Sequence, residues 1–250
     1  MPFEQSLAGK IIAVTGASRG LGKGFARVLD QEGAQLVLLA RASDALDAVG
    51  AELPRAMVQP CDLSSFDSVR AAFKAIGERF GKLDGLVNNA ALLQPGLIED
   101  MTDEHMLRET LTNFLGPAVT SREAIPLLRA AGGGDIVNIS SDSVAVSGPQ
   151  LTFYAAAKAG LEQFSMGLRQ ELRGDKIRVT ILRSGTVADT ELHRDWTPER
   201  REDFYTAMRE SAALERFGTG VEAEVMAQTL VHSLRIPRNA IAETISLRPI

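Results

Sequence analysis

The chain is poor in several residue types on which protein chemistry often relies. Its 250 residues include one cysteine, one tryptophan, two tyrosines and three histidines. A lone Cys61 cannot form an internal disulfide, which excludes a disulfide-stapled scaffold and makes a reducing, cytoplasmic setting the expected one. His105, His193 and His232 lie far apart in the sequence without ligand spacing, so no metal is expected. No apolar run approaches the roughly 20 residues that a membrane span needs. The opening "MPFEQSLAGK" lacks the positive start and apolar block of a secretory leader, and no membrane association is expected. The net charge of −5 comes without any basic stripe, which argues against a nucleic-acid partner. Linkers, repeats and low-complexity blocks are also missing, so residues 1–250 are read as a single domain.

What the chain does have is an ordinary globular composition, 45% hydrophobic and 24% charged. Short apolar runs alternate with longer amphipathic stretches. Strands are expected at "KIIAVTG", "AQLVLLA", "AMVQ", "DGLVNN", "GDIVNIS", "KIRVTILRS" and "ETISL". Helices are expected near 20–32, 44–53, 67–80, 103–131, 155–173 and 221–235. Strands apolar on both faces, each followed by a helix, predict a parallel sheet covered on both sides. The fold class is therefore α/β: a doubly wound, mostly parallel seven-stranded sheet with helices on both faces, Rossmann-like. "AAGGGD" reads as a helix-to-strand turn, and the "NIS" sequon at Asn138 as part of a strand rather than a glycan site.

The first strand runs into "TGASRGLG", Thr15 to Gly22. Glycines at 16, 20 and 22 permit a sharp turn and a close backbone approach, and the next helix offers unpaired N–H groups to a pyrophosphate. The spacing is neither G-x-G-x-x-G nor a nucleotide-hydrolase P-loop, since Ala17 and Gly24 stand where the latter needs Gly and Ser or Thr. Its place at the first strand-to-helix turn is where such sheets bind dinucleotides. At the end of strand two, NAD-binding sheets carry an acid for the ribose 2′-hydroxyl. Here Arg41 stands instead, with Arg19 in the glycine turn; both suit a 2′-phosphate and favour NADP(H) over NAD(H). Asp44 is a candidate helix cap. Asp62, in "CDLSS" after strand three, is a candidate partner of the adenine amino group; Asp62 or Ser64 could equally cap the next helix.

"YAAAK" places Tyr154 and Lys158 four residues apart on a helix with only alanines between, so phenol and ammonium share one face. A nearby ammonium should bring a phenol down from its usual value of about 10. Pro117 lies four residues after Asn113 and has no N–H, so the Asn113 carbonyl loses its helical donor. Either that carbonyl finds a water leading to Lys158, or the proline simply kinks a long helix.

Taken together, "TGASRGLG", "CDLS", "NNAA", "TNFLG", "NISS", "YAAAK" and "SGTVADT" appear in the order of the short-chain dehydrogenase/reductase family, which the chain resembles from residue 15 to about 190. The resemblance implies a Tyr154 acid/base, a Lys158 partner that also holds the nicotinamide ribose, a carbonyl-orienting Ser141 and a supporting Asn113. Ser140 should point the other way if strand alternation persists. The same resemblance assigns cofactor contacts to Gly16, Ser18, Arg19, Gly20, Leu21 and Gly22, then to Arg41, Asp62, Leu63, Asn89 and Ala90. Tyr154, Lys158, Gly185 and Val187 complete the set. The implied activity is NADP(H)-dependent interconversion of a ketone or aldehyde and an alcohol, with a small-molecule substrate and a homodimer or homotetramer. The alternative is a catalytically silent NADP(H)-sensing regulator of the same fold.

Departures from the family pattern are local. Ala91 ends "NNAA" where Gly is commoner. Ser184-Gly185 stands in place of Pro-Gly, and Asp189 followed by Thr190 in place of an earlier threonine. The tail "ETISLRPI" lacks the Asp-Gly-Gly ending, which makes a dimer a firmer expectation than a tetramer. A segment near 188–217 should cover the site. Its Trp196, Phe204, Tyr205 and Met208 either line an apolar pocket or pack the segment onto the body. Asp142 should bond a substrate hydroxyl or cap a turn.

Overall fold

A computed structural model describes residues 5–188, 192–211 and 220–249. Seven parallel strands form one sheet: β1 (Ile11–Thr15), β2 (Gln35–Ala40), β3 (Met57–Pro60), β4 (Gly85–Asn88), β5 (Gly134–Ser141), β6 (Ile177–Ser184) and β7 (Thr244–Leu247). Their order across the sheet is β3-β2-β1-β4-β5-β6-β7, with every registered pair parallel. The order reverses between β1 and β4, so the connections leaving their carboxyl ends run to opposite sides and open a crevice, the usual ligand site in such sheets.

The covering helices are α1 (Gly20–Gln31), α2 (Asp44–Glu52), α3 (Phe66–Phe80), α4 (Asp103–Thr110), α5 (Gly116–Ala130), α6 (Thr152–Glu171), α7 (Pro198–Glu210) and α8 (Ala223–Arg235). Strand alternation sorts the core into two layers. Ile12, Val14, Leu36 and Leu38 face one side and pack with Phe25, Met226 and Leu230; Ile11, Ala13, Val37 and Leu39 face the other and pack with Phe73, Ile76 and Leu128. Fully burying one such side chain contributes about 1.5–3 kcal/mol.

Buried polar groups tie strands to helices below the crevice. Asn88 donates to Asn138 Oδ1 at 2.8 Å and accepts from Thr120 Oγ1 at 2.7 Å, and Asn138 donates to Ser165 Oγ at 2.8 Å. Asn138 is thus a core residue of β5, as the apolar run around its sequon implied. At the opposite end of the sheet, Asp84 accepts from the Ile11 amide at 3.0 Å and from Lys10 Nζ at 2.9 Å.

The seven expected strands are all present. Two helical features differ from the sequence expectation. The stretch 103–131 is not one helix: residues Leu111–Leu115 form a wide π turn between α4 and α5, closed by the Gly116 amide donating to the Leu111 carbonyl. With no N–H at Pro117 the regular ladder cannot continue, and the chain widens by one residue instead of merely kinking. The second feature is α7, a helix inside the covering segment. Thr197 caps it by accepting from the Arg200 amide, and Pro198 occupies its first turn.

Candidate active site

The crevice at the carboxyl ends of the strands has a volume of about 1080 Å³ and takes in every residue proposed above for cofactor contact, together with Ser141. Its floor is the glycine turn. Gly16 has φ +68°, a conformation in which any other L-residue is strained. A Cβ on Gly22 would lie 2.2 Å from the Gly16 carbonyl oxygen and 2.5 Å from Asn89 Nδ2, so this cradle closes on itself only with glycine there. Asn89 donates to the Thr15 carbonyl at 2.9 Å, and the Thr15 hydroxyl accepts from the amides of Asn89 and Ala90 at 3.0 and 3.1 Å. Thr15 thereby joins the two loops that border the crevice, a task its sequence position did not advertise. The first turn of α1 has no acidic residue, and no side chain caps its amides. Free donors at a positive helix end, above a glycine cradle, fit a diphosphate.

Arg41 is exposed at the rim, and Arg19 lies in the glycine turn, 3.6 Å from Asp195 of the covering segment. An exposed pair of this kind contributes little stability by itself. Ser43, not Asp44, caps α2, accepting from the Leu46 amide. Asp62 lines the crevice and accepts from both the amide and the hydroxyl of Ser64, whereas the cap of α3 is Ser65. Neither capping expectation for Asp62 and Ser64 holds, because the chain needs one more residue to turn into α3.

Cys61 also borders the crevice, and burial pushes its thiol up to about 12. The native protein is therefore expected to react with a thiol reagent at pH 8 about 100-fold or more slowly than the unfolded chain. Thiol titration with and without denaturant reads this directly; fast native labelling would mean that the wall opens.

Ser141, Tyr154 and Lys158 converge on one wall. Ser141 ends β5, and its hydroxyl accepts from the Ser143 amide at 3.2 Å and the Ser143 hydroxyl at 2.9 Å. With those acceptor sites used, its own proton is directed outward, and Tyr154 lies within hydrogen-bonding reach. Ser140 points the opposite way, donating to Glu162 Oε1 at 2.6 Å, as strand alternation requires. Asp142 is buried and does not line the crevice, so the substrate contact considered for it is not made from this position.

Lys158 is 2% exposed, and its Nζ donates to the Ile139 carbonyl at 2.9 Å. The ammonium lies 5.9 Å from the centre of the Tyr154 ring. The expected lowering of the tyrosine does not appear. Burial pushes Tyr154 up to about 12, against a smaller opposing effect of Ser141, and pushes Lys158 down to about 8. Desolvation outweighs pairing because both groups are buried and the lysine is turned toward Ile139. At neutral pH the site thus holds a protonated phenol beside a mostly charged amine.

Asn113 is fully buried and does not reach the crevice. Its amide donates to the Leu92 carbonyl at 2.7 Å and accepts from the Leu92 amide at 2.9 Å, clamping the loop after β4. Ser184 donates to the Gly185 carbonyl at 2.9 Å, and Gly185 donates to the Leu247 carbonyl at 2.8 Å. A Cβ on Gly185 would sit 2.8 Å from Arg248 Cα, so glycine persists here even without the preceding proline. Val187 bridges to Val221. Asp189 and Thr190, the altered register, lie outside the described residues.

The covering segment packs through Trp196, Phe204 and Met208 against Leu93, Leu151 and Tyr154. Trp196 does not line the crevice; it anchors the segment, donating from Nε1 to the Leu93 carbonyl at 2.8 Å. Phe204, Tyr205 and Met208 both pack and line the crevice. Among the described residues there is no cluster of metal-binding side chains, and no helix is long and apolar enough to cross a membrane.

A doubly wound sheet with a glycine cradle at its first strand-to-helix turn and a buried tyrosine–lysine wall defines a Rossmann-like architecture. The sequence profile of the family described as short chain dehydrogenase matches residues 10–201, and the chain belongs to that family. It is 37% identical over 192 residues to 11-beta-hydroxysteroid dehydrogenase 1A of Arabidopsis thaliana, covering 74% of this chain and 54% of that protein. The chain thus spans about half the length of that relative. It is 30% identical to the 3-oxoacyl-[acyl-carrier-protein] reductase of Bos taurus, covering 90% of this chain and 92% of that one. An alcohol dehydrogenase from the archaeon Thermococcus sibiricus, solved with 5-hydroxy-NADP, superposes with a TM-score of 0.80 at 26% identity, covering 96% of each chain.

Proposed function

We propose that this protein is an NADP(H)-dependent oxidoreductase that interconverts a ketone or aldehyde and an alcohol. The observation that carries the reading is the convergence of Ser141, Tyr154 and Lys158 on the wall of a crevice floored by the glycine turn. When bound, the nicotinamide supplies or accepts the hydride. The chain's own residues do the rest. Amides of α1 and the cradle Gly16–Gly22 would hold the diphosphate, with Ser18, Gly20 and Leu21 beside it. Asp62 and Leu63 would serve the adenine, Asn89 and Ala90 the adenosine side, and Gly185 and Val187 the nicotinamide end. Arg41 and Arg19 favour a 2′-phosphate.

Ser141 donates to the carbonyl oxygen and steadies the charge that develops there. Tyr154, protonated at neutral pH, delivers its proton to that oxygen. Lys158 replaces part of the lost solvation of the phenolate that remains. Asn113 acts at a distance, holding the Leu92 loop through its side chain and offering its main-chain carbonyl to the proton path. The relatives reported above, a hydroxysteroid dehydrogenase, an oxoacyl reductase and an alcohol dehydrogenase, are all compatible with carbonyl–alcohol chemistry.

The test is a screen of carbonyl and alcohol compounds that follows the absorbance of the reduced cofactor, with NADPH and NADH in parallel. Turnover with NADPH supports the reading. Tight NADPH binding with no turnover on any carbonyl or alcohol would instead support the silent-sensor alternative. Arg41→Asp replaces a phosphate partner with a repelling charge, and is expected to move the NADPH/NADH preference in kcat/KM by about 100-fold toward NADH. An unchanged ratio would remove Arg41 from the 2′-phosphate site.

A further inference from the structure

Glu109 is the most conspicuous buried charge that the proposed reaction does not use. It sits near the end of α4, one helical turn before Asn113, with a relative exposure of 0%. Neither carboxylate oxygen has a hydrogen-bond donor among the described residues. Burying a carboxylate without partners is costly, so its retention calls for a compensating charge or a retained proton. α4 packs against α6, the helix that carries Tyr154 and Lys158. Lys158 and Tyr154 act on Glu109 from α6; His105 lies one turn earlier on its own helix and itself feels Arg108, Glu104 and, from α7, Arg200. The π turn between α4 and α5 contributes no ionisable group.

We propose that Glu109 is a positioning residue for the reaction: its carboxylate, buried on α4 where that helix packs against α6, keeps Lys158 charged and Tyr154 protonated on the alkaline side of neutrality, and so holds the site in its proton-donating form. The inference rests on the carbonyl-reduction reading above. Its sign is the same through either partner. An anionic Glu109 favours the ammonium of Lys158 and disfavours the phenolate of Tyr154. Removing the anion therefore releases protons from both groups at lower pH. Burial places the change in a useful range, since it pushes the Glu109 carboxyl up to about 7 while Lys158 pulls it back. Below that point the site holds a neutral acid and an ammonium bonded to the Ile139 carbonyl; above it, two opposite charges that attract without a hydrogen bond between them.

The experiment measures kcat/KM for carbonyl reduction against pH in the wild type, Glu109→Gln, Glu109→Leu and Glu109→Asp, with the Kd for NADPH as a folding control. Both neutral variants are expected to move the alkaline limb about one pH unit to lower pH, and Glu109→Asp to return it toward the wild type. A limb unmoved in Gln and Leu, with only kcat reduced, would mean a packing role and overturn the proposal. A second measurement needs neither turnover nor variant folding at the acid itself. In the full chain labelled with carboxyl-¹³C glutamate, the Glu109 signal is expected to titrate near neutrality and to move upward in Lys158→Met. Titration near the ordinary glutamate value of 4.5, or no response to Lys158→Met, would also overturn it. Should the wild type reduce no carbonyl, the functional reading falls, and the carboxyl titration then decides the Glu109–Lys158 coupling alone.

Discussion

Tyr154→Phe is expected to lower kcat/KM for carbonyl reduction by about 1000-fold while leaving the NADPH Kd within about threefold of the wild type. The substitution removes one hydroxyl from a side chain that is otherwise packed. The ring keeps its contacts with Leu93, Leu151, Phe204 and Met208. What it loses is the hydrogen bond with Ser141, a cost of about 1 kcal/mol in stability. The proton donor, by contrast, has no substitute. Ser141 is engaged with Ser143, and Lys158 points to the Ile139 carbonyl. Steady-state kinetics and a fluorescence titration of NADPH separate the two effects. More than about a tenth of wild-type activity would remove Tyr154 from the role assigned to it; equal losses in turnover and binding would indicate a structural effect instead.

The second large effect is expected at Gly22. Gly22→Ala places a methyl carbon 2.2 Å from the Gly16 oxygen, a separation that no rotamer relieves because both atoms belong to the backbone turn. Either the turn opens or Asn89, 2.5 Å from the same carbon, gives up its bond to Thr15. Overpacking of this sort costs about 1–3 kcal/mol. Here the relief deforms the surface on which the diphosphate would lie, so the NADPH Kd is expected to rise about 100-fold, equivalent to about 2.8 kcal/mol. The sheet itself should persist, because the two core layers do not depend on this turn. Calorimetric titration and far-ultraviolet circular dichroism read binding and fold separately. A Kd within twofold of the wild type would show that no dinucleotide rests on this turn.

Much of the site is legible because it is local in sequence. Tyr154 and Lys158 share a face by helical spacing, and Ser140 and Ser141 diverge by strand alternation. The glycine turn stands out by composition and by following the first strand. α7 was not expected from the sequence, although a signal was there: "TPER" pairs a capping threonine with a first-turn proline, but the charged residues after it have little apolar periodicity to confirm a helix. The π turn was half legible. Pro117 announces that a bond is lost, but whether the chain bends or widens depends on what packs around it. Glu109 was hidden, because "DEHMLRET" reads as a solvated helix; only its spacing of four from Asn113 pointed inward.

The sequence by itself determined the seven strands in their order, the parallel sheet with both faces covered, the glycine cradle and the tyrosine–lysine face, since each follows from spacing over a few residues. The tertiary structure alone decided the electrostatics. It turned Lys158 toward Ile139, clamped Asn113 to Leu92 and brought an acid from α4 against α6. Desolvation and charge coupling depend on which groups are excluded from water together, and that is set by packing between distant segments, which no local pattern encodes.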